Sequence, residues 1–185
     1  MTRLFDFIFS LIGLVLLSPI FLVLIIVGYF DTGSPIFVQE RMGKAKRTFK
    51  LYKFRSMVRS SEQIPTHLAS VTNITPWGKF LRKSKLDELP QLFNVLEGEM
   101  SLVGPRPNLF SQLELVEFRT AQNVYTVRPG ITGEAQIKNI DMSNPELLAK
   151  TDANMISQMN LLLYFKLIVL TVIGRGGGDP IQSAE

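Results

Sequence analysis

Residues 7–30 read FIFSLIGLVLLSPIFLVLIIVGYF, and no charged side chain interrupts them. About 20 apolar residues in a row cross the hydrocarbon core of a bilayer as a helix, so this stretch predicts a membrane helix. Ser18-Pro19 lies at its middle. Proline removes a helical hydrogen bond, so we expect a kink, and the Ser18 hydroxyl can bond a carbonyl that the kink frees. The kink leaves two forms open: a spanning helix, or a helix that enters and leaves by the same face.

The sequence around this run favours an anchor that is kept. Arg3 is the only basic residue before it, the apolar run is too long for a signal peptide, and no small-residue cleavage site follows. Basic residues are frequent after Asp31, which predicts that the following chain stays on the cytoplasmic side. A second apolar stretch, residues 161–173, contains Lys166 and predicts a core or interfacial helix.

Length and composition limit the rest of the architecture. The chain has 185 residues, which suits one compact domain with an anchor. It has no cysteine, which excludes disulfides, thiol nucleophiles and cysteine-ligated metal sites. Because His67 is the only histidine, a site built from several histidines is excluded as well. We interpret His67 as a polar loop residue.

The positive charge is concentrated in two short clusters. The net charge is +4, and no acidic residue interrupts the first cluster. Such a surface can meet nucleic acid, an anionic membrane or a phosphorylated substrate, and charge alone does not choose among them. The clusters consist of Arg41, Lys44, Lys46, Arg47, Lys50, Lys53, Arg55 and Arg59, and of Lys79, Arg82, Lys83 and Lys85.

Local patterns predict an α+β fold that is mostly helical with short strands. Pro90 is expected as the first residue of a helix and Gly98 as its end. We divide the chain into a membrane helix (residues 1–30), a cytoplasmic domain (31–174) and a flexible tail (175–185). The expected strands are residues 36–39, 49–57 and 134–137. The expected helices are residues 77–81, 89–96 and 108–119, and one from residue 144 that runs into 161–173. The expected loops are residues 41–46, 60–75, 103–107 and 128–133.

The adjacent carboxylates Asp87 and Glu88 stand directly before one expected helix. A helix N-terminus favours anions, and the basic residues just before the pair would draw in a phosphoryl group. Aspartate is an established nucleophile towards phosphorus. The alternative is structural, because Ser84 and Asp87 also fit a capping pattern in which Asp87 only caps the helix.

Rigid loops hold two further candidates. Arg106 lies between two prolines and after a glycine, which is a good mount for a phosphate-binding guanidinium, and Arg128 precedes Pro129-Gly130. An incidental arginine in a surface turn is the alternative for both. Lys53 and Arg55 lie on an expected strand, where basic side chains usually face solvent, and Asp152 fits a helix cap.

Together these stretches resemble the bacterial sugar transferase family, the small monotopic phosphoglycosyl transferases that initiate glycoconjugate assembly. The resemblance covers nearly the whole chain. It departs at Glu134-Ala135-Gln136, where many relatives carry Trp-Ala-Gln, and this indicates a distinct sugar-specificity subgroup. The matching stretches are the apolar start with Ser18-Pro19, PIFVQER (residues 35–41), FKLYKFRSM (49–57), LRKSKLDELPQL (81–92), SLVGPRP (101–107) and RPGITG (128–133).

The resemblance implies a location and a fold. The N-terminal helix would be re-entrant, broken at Ser18-Pro19, with both ends on the cytoplasmic face of the bacterial inner membrane. The catalytic domain would be compact and would carry interfacial amphipathic helices. The implied partners are a UDP-sugar, a polyprenyl phosphate and the phospholipid membrane, with no nucleic acid; a homodimer is left open.

The resemblance also implies a reaction. Asp87 would attack the β-phosphate of a UDP-sugar and expel UMP, and the covalent phosphosugar would pass to polyprenyl (undecaprenyl) phosphate in a ping-pong mechanism. Glu88 would assist as a base or metal partner, and Mg²⁺ would bind at Asp87 and Glu88. The expected substrate- and phosphate-binding residues are Lys53, Arg55, Arg82, Arg106, Arg128 and Asp152. The competing interpretation is a non-enzymatic, membrane-anchored adaptor that binds anionic lipid.

Overall fold

The N-terminal apolar stretch forms two helices that meet at Leu17. In the computed structural model, α1 (Thr2–Leu16) and α2 (Ser18–Thr32) are bent by 64°. Pro19 has no N–H to donate to the Val15 carbonyl, and the Ser18 hydroxyl donates to that carbonyl instead, at 2.8 Å. The expected break and its hydroxyl bond are therefore confirmed.

The structure describes residues 2–58 and 73–174. Within these ranges no single helix is long and apolar enough to cross a bilayer, whereas the bent pair passes that test by length and composition. The loop expected at 60–75 falls almost wholly outside the described residues, as do Arg59, His67 and the tail. The other elements are β1 (Ile36–Met42), β2 (Thr48–Phe54), α3 (Pro76–Ser84), α4 (Gln91–Glu97), β3 (Ser101–Val103), α5 (Leu113–Ala121), β4 (Gly130–Thr132), α6 (Glu134–Ile137), α7 (Pro145–Ser157) and α8 (Leu161–Val172).

Two small sheets organise the domain. β1 and β2 form an antiparallel hairpin in which Ile36 lies opposite Phe54 and Met42 opposite Thr48. β3 and β4 pair in parallel, with Ser101 opposite Gly130. The expected α+β class is thus confirmed, with helices predominating.

Several expected boundaries were wrong. Residues 134–137 form a helix, not a strand; the strand is β4, just before it, where the missing side chain of Gly130 lets the backbone approach Gly104. Residues 108–112 are not helical, because the buried Asn108 side chain donates to the carbonyl of Leu109 and holds an irregular turn. Residues 144–173 form two helices instead of one continuous helix, since the Asn160 side chain accepts a hydrogen bond from the backbone of Leu163 and caps α8.

Two polar side chains of α1 join the apolar segment to the rest of the domain. Arg3 donates to the carbonyls of Val95 and Leu96 at the end of α4. Asp6 is buried, and three donors bind its carboxylate: the Ser101 hydroxyl at 2.9 Å, the Leu102 N–H at 2.9 Å and the Tyr164 hydroxyl at 2.8 Å. The proposed boundary at residue 30 stays a prediction, and these contacts cross it.

The bond between Tyr164 and Asp6 predicts a loss of stability at high pH. Burial raises the pKa of the Tyr164 phenol above its ordinary value of 10.0, and the hydrogen bond to Asp6 raises it further. The unfolded chain therefore loses this proton at lower pH than the folded chain, so the contribution is complete below about pH 10 and is lost as the pH rises further. We expect the free energy of unfolding to fall more steeply above pH 10 in the wild type than in Tyr164→Phe.

Chemical denaturation in detergent between pH 7 and 11 measures this difference. Tyr29→Phe is the matched control because it removes the same hydroxyl group from a ring that is exposed. Parallel slopes for the wild type and Tyr164→Phe would contradict the prediction.

Candidate active site

Asp87 and Glu88 lie in a short 3-10 turn, Leu86–Glu88, between α3 and α4. Lys85 enters this turn in the left-handed conformation, with φ 57°, and Asp87 is only 8% exposed. The capping interpretation is wrong: the Ser84 hydroxyl donates to carbonyls of its own helix, and α4 is capped by Pro90 without a side-chain bond. Pro90 was expected as the first residue of this helix, but it lies one residue before α4, at the N-cap position. Asp87 therefore does not occupy the N-cap position of α4.

Glu88 is the centre of an ion-pair cluster. Its Oε1 accepts a hydrogen bond from Arg106 Nη2 at 2.7 Å and lies 3.6 Å from Lys53 Nζ. The three side chains are 13–18% exposed, so the charges attract more strongly than they would in open solvent. The structure thus brings together three residues expected at the site, and the adjacent Asp87 is the fourth. They come from β2, from the Leu86–Glu88 turn, which we call the acidic turn, and from the loop after β3.

Arg82 lies in the last turn of α3, just before the Leu86–Glu88 turn in the chain. Its Nε donates to Ser56 Oγ at 2.9 Å, and its Nη1 is buried with no hydrogen-bond partner in the part of the chain that the structure describes. Helix α3 reaches this position because Gly78 has no side chain; a Cβ there would lie 2.0 Å from the Ser56 carbonyl oxygen. An unpaired buried guanidinium N–H is costly, and an incoming oxyanion would satisfy it.

The loop that carries Arg106 is held by its backbone carbonyls. The Gly130 N–H donates to the Pro105 carbonyl at 2.9 Å, and the Met42 N–H donates to the Asn108 carbonyl at 3.0 Å. Between them, Arg119 Nη1 donates to the Arg106 carbonyl at 2.8 Å. The irregular loop expected at residues 103–107 is confirmed for 104–107, whereas Val103 is the last residue of β3. Hydrogen-bond donors from distant residues hold its carbonyls, and its rigidity stays a prediction.

Asp152 lies behind this loop. Its carboxylate is 1% exposed and accepts bonds from Arg119 Nη2 at 2.6 Å and Nε at 3.1 Å. Burial raises the pKa of the Asp152 carboxyl, and the Arg119 guanidinium opposes that rise. None of the described contacts joins Asp152 to Asp87 or Glu88, so its proposed binding role stays a prediction.

The sequence patterns did not predict a functional role for three residues of this cluster, Arg119, Asn108 and Tyr125. Arg119 Nη1 also donates to Asn108 Oδ1 at 2.9 Å, and the Tyr125 hydroxyl donates to the same oxygen at 3.0 Å. One signal was available: Arg119 stands four residues after the buried Leu115, on the same face of α5, where an arginine requires a partner.

The contacts of Arg55 differ from those of Arg82. Its guanidinium donates to the carbonyls of Ser34 and Ile36, at 2.8 and 3.2 Å, and lies over the Phe37 ring. These contacts fasten the two strands of the hairpin. A direct role in phosphate binding stays a prediction for Arg55.

Arg128 lies near the other end of β2. Its Nε donates to the Gly98 carbonyl at 2.6 Å, and it lines a pocket of about 450 Å³ together with Lys44, Arg47 and Thr48. Thr48 and Lys53 are about 17 Å apart along the strand at 3.3 Å per residue. Nucleotide binding at Arg128 stays a prediction, and no described contact connects it with Asp87.

The donor set suits a magnesium ion. Among residues 2–58 and 73–174 there is no group of three or more histidine, cysteine or acidic side chains that could hold a metal. Mg²⁺ is commonly bound by only one or two carboxylates and completes its shell with water and substrate phosphate oxygens. Asp87 and Glu88 fit that pattern.

A family comparison agrees with this geometry. The model of the bacterial sugar transferase family matches residues 1–175 of the chain. The chain belongs to the bacterial sugar transferase family. The matched region of this sugar transferase includes both the bent helix pair and the turn Leu86–Glu88.

Named relatives of this sugar transferase act on nucleotide sugars or take part in polysaccharide production. The UDP-N-acetylgalactosamine-undecaprenyl-phosphate N-acetylgalactosaminephosphotransferase of Aeromonas hydrophila is 36% identical over 183 residues, covering 92% of this chain and 43% of the relative. The UDP-glucose:undecaprenyl-phosphate glucose-1-phosphate transferase of Klebsiella pneumoniae is 39% identical over 182 residues, covering 92% and 39%. The exopolysaccharide production protein ExoY of Sinorhizobium fredii is 33% identical over 196 residues, covering 94% and 86%. The chain thus spans less than half of the first two relatives.

Proposed function

We propose that this sugar transferase moves a sugar 1-phosphate from a UDP-sugar to a polyprenyl phosphate, with undecaprenyl phosphate as the bacterial acceptor. The observation that carries the proposal is the buried Asp87 beside the Glu88 ion-pair cluster and the unpartnered Arg82 Nη1. The names of the relatives supply the substrate classes. The product would be the first lipid-linked sugar of a glycoconjugate such as a capsule, O-antigen, glycoprotein glycan or exopolysaccharide.

The reaction has two displacements at one phosphorus. An Asp87 carboxylate oxygen forms a bond to the β-phosphorus, the bond from that phosphorus to the bridging oxygen breaks, and UMP leaves with the electron pair. A phosphate oxygen of the polyprenyl phosphate then attacks the same phosphorus and releases the Asp87 carboxylate. Dividing the transfer into two steps is the usual advantage of covalent catalysis and gives ping-pong kinetics.

The basic residues offset charge on the transferring group. Arg82 offers a buried, unoccupied N–H, and Arg106 is held in place by its loop and by Glu88. Lys53 adds a point charge beside Glu88. Fixed positive groups in a site of low exposure stabilise a phosphoryl transition state more than solvent water does. Glu88 orients Arg106, and it is the second carboxylate available to a metal.

We propose Mg²⁺ as the cofactor, held by Asp87 with Glu88 as the neighbouring carboxylate. When bound, it would neutralise phosphate charge, as divalent ions do in phosphoryl transfer.

The N-terminal helices are proposed to form a re-entrant membrane segment at the cytoplasmic face of the inner membrane. Apolar side chains of α1 and α2 are widely exposed, including Leu16 and Phe30. Leu162 and Val172 of α8 are exposed at 81% and 80%. A lipid-linked acceptor keeps its phosphate at the membrane surface, so an enzyme embedded partly in the bilayer would hold its nucleophile at that depth.

UMP release tests the proposed function. Purified full-length protein in nanodiscs would be mixed with Mg²⁺, undecaprenyl phosphate and one UDP-sugar at a time. We expect UMP with one donor, dependent on Mg²⁺ and on the lipid phosphate for multiple turnovers. UDP release would indicate direct glycosyl transfer and overturn the mechanism. No release with any UDP-sugar, from protein that remains folded, would favour the adaptor interpretation.

A further inference from the structure

A buried ion pair touches the backbone of the Arg106 loop. Arg119 and Asp152 are each 1% exposed, and Arg119 is the largest fully buried side chain of the described residues. Arg119 lies on α5 and Asp152 on α7, so the pair joins two helices that pack against each other. A pair buried this completely is costly to desolvate, and an apolar replacement of similar volume is often as stable. Stability alone is therefore a weak explanation for it.

The directions of the Arg119 donors indicate another role. Nε and Nη2 bind one oxygen of Asp152, which fixes the plane of the guanidinium. Nη1 then donates to the Arg106 carbonyl at 2.8 Å and to Asn108 Oδ1 at 2.9 Å. A lysine could not make these bonds together, because an ammonium is a point charge without a planar fork.

The backbone of Arg106 determines where its own side chain reaches. The carbonyl is held by Arg119, and the side chain extends to Glu88 at 2.7 Å. The neighbouring loop residues are held at Pro105 and Asn108 by backbone donors from β4 and β1. Arg119, in contrast, binds the carbonyl of Arg106 itself, the residue whose side chain enters the site.

We infer that Arg119 and Asp152 are positioning residues that aim Arg106 at Glu88 and at the transferring phosphoryl group. Asp152 orients Arg119, Arg119 holds the Arg106 carbonyl, and Arg106 presents its guanidinium. In this role both residues act through Arg106 and not by binding the substrate themselves. The inference rests on the proposed function for its chemical meaning and on the described contacts for its geometry.

A double-mutant cycle tests it, using full-length protein in nanodiscs and kcat/KM for UMP release. We expect Arg119→Lys to lower kcat/KM by about 10²-fold, since a displacement of about 1 Å at a phosphate-binding group can cost that much. In an Arg106→Ala background the same substitution should cost less than about threefold, because no guanidinium remains to be aimed. Equal losses in both backgrounds would overturn the inference.

A matched control and a second variant separate positioning from folding. Leu115→Ala disturbs the same face of α5 one turn earlier, and its effect should be the same in both backgrounds. The apolar replacement Arg119→Met with Asp152→Leu keeps the volume filled and is expected to fold, yet to lose about as much kcat/KM as Arg119→Lys. Full activity of that folded replacement would overturn the inference, even if Arg119→Lys failed to fold.

The proposed function can fail separately. If the wild type released no UMP, the cycle would be measured in free energies of unfolding, where Arg119 and Arg106 should still be coupled through the ion pair with Glu88. Additive unfolding effects would then overturn the positioning role itself. Coupled kinetic effects with normal Asp87-dependent release would support both proposals.

Discussion

Asp87→Asn is expected to lower the rate of UMP release by about 10³-fold or more. The amide has nearly the shape of the carboxylate, but it carries no anionic oxygen that could attack phosphorus. Asp87 is buried in the acidic turn and shares it with only one other carboxylate. Glu88 is engaged by Arg106 and Lys53, so it is poorly placed to take over as the nucleophile.

A partial reaction makes this test independent of the lipid acceptor. Without polyprenyl phosphate, labelled UMP should exchange into UDP-sugar in the wild type, because the first displacement is reversible, and this exchange should vanish in Asp87→Asn. Glu88→Gln is the matched control: it should slow the reaction without abolishing the exchange. Exchange retained by Asp87→Asn, or multiple turnovers near the wild-type rate, would contradict a covalent role for Asp87.

Gly130→Ala is expected to cause a large loss of stability, comparable among the described glycines only to that of Gly78→Ala. The new Cβ would lie 2.0 Å from the Gly104 nitrogen and 2.6 Å from its Cα, so one of two paired backbone strands would have to move. Overpacking against side chains costs about 1–3 kcal/mol, and a backbone neighbour cannot rotate away, so we expect about 3 kcal/mol or more. Activity should fall too, because Gly130 N–H holds the Pro105 carbonyl beside Arg106.

Thermal unfolding in detergent and UMP release measure the two effects. Gly13→Ala is a suitable control, since its Cβ would meet only the end of the Leu92 side chain, at 3.3 Å, and alanine favours the helix that contains it. A melting temperature of Gly130→Ala close to that of Gly13→Ala would show that the β3–β4 contact relaxes at little cost.

Features set by neighbouring residues were predictable from the sequence. Ser18-Pro19 breaks a helix wherever it stands in one, and Gly98 ends α4 in the left-handed conformation, with φ 87°. The two prolines around Arg106 exclude a regular helix. The candidate site was found in the same way, because Asp87, Glu88 and Arg106 stand in short motifs whose chemistry is local.

Features set by distant contacts were not predictable. Glu134 to Ile137 has no pattern of its own that distinguishes a helix from a strand, and its conformation follows from the packing of Ala135 against Leu115 and Leu148. The pairing of β3 with β4 joins segments far apart in the chain. Arg119 appears as an ordinary helical residue until α7 places Asp152 against it.

The attachment of α1 also bears on how such an enzyme can be shortened or recombined. Deleting the first helix would remove Asp6 from the Ser101 and Tyr164 hydroxyls and Arg3 from the end of α4. Those groups would then face a vacated groove in the core beside the strand that leads to Arg106. The apolar N-terminal segment is thus also an internal part of the enzyme. A truncation that lacks α1 would be a damaged domain, and a foreign helix could replace α1 only if it supplied the same two side chains in the same helical register.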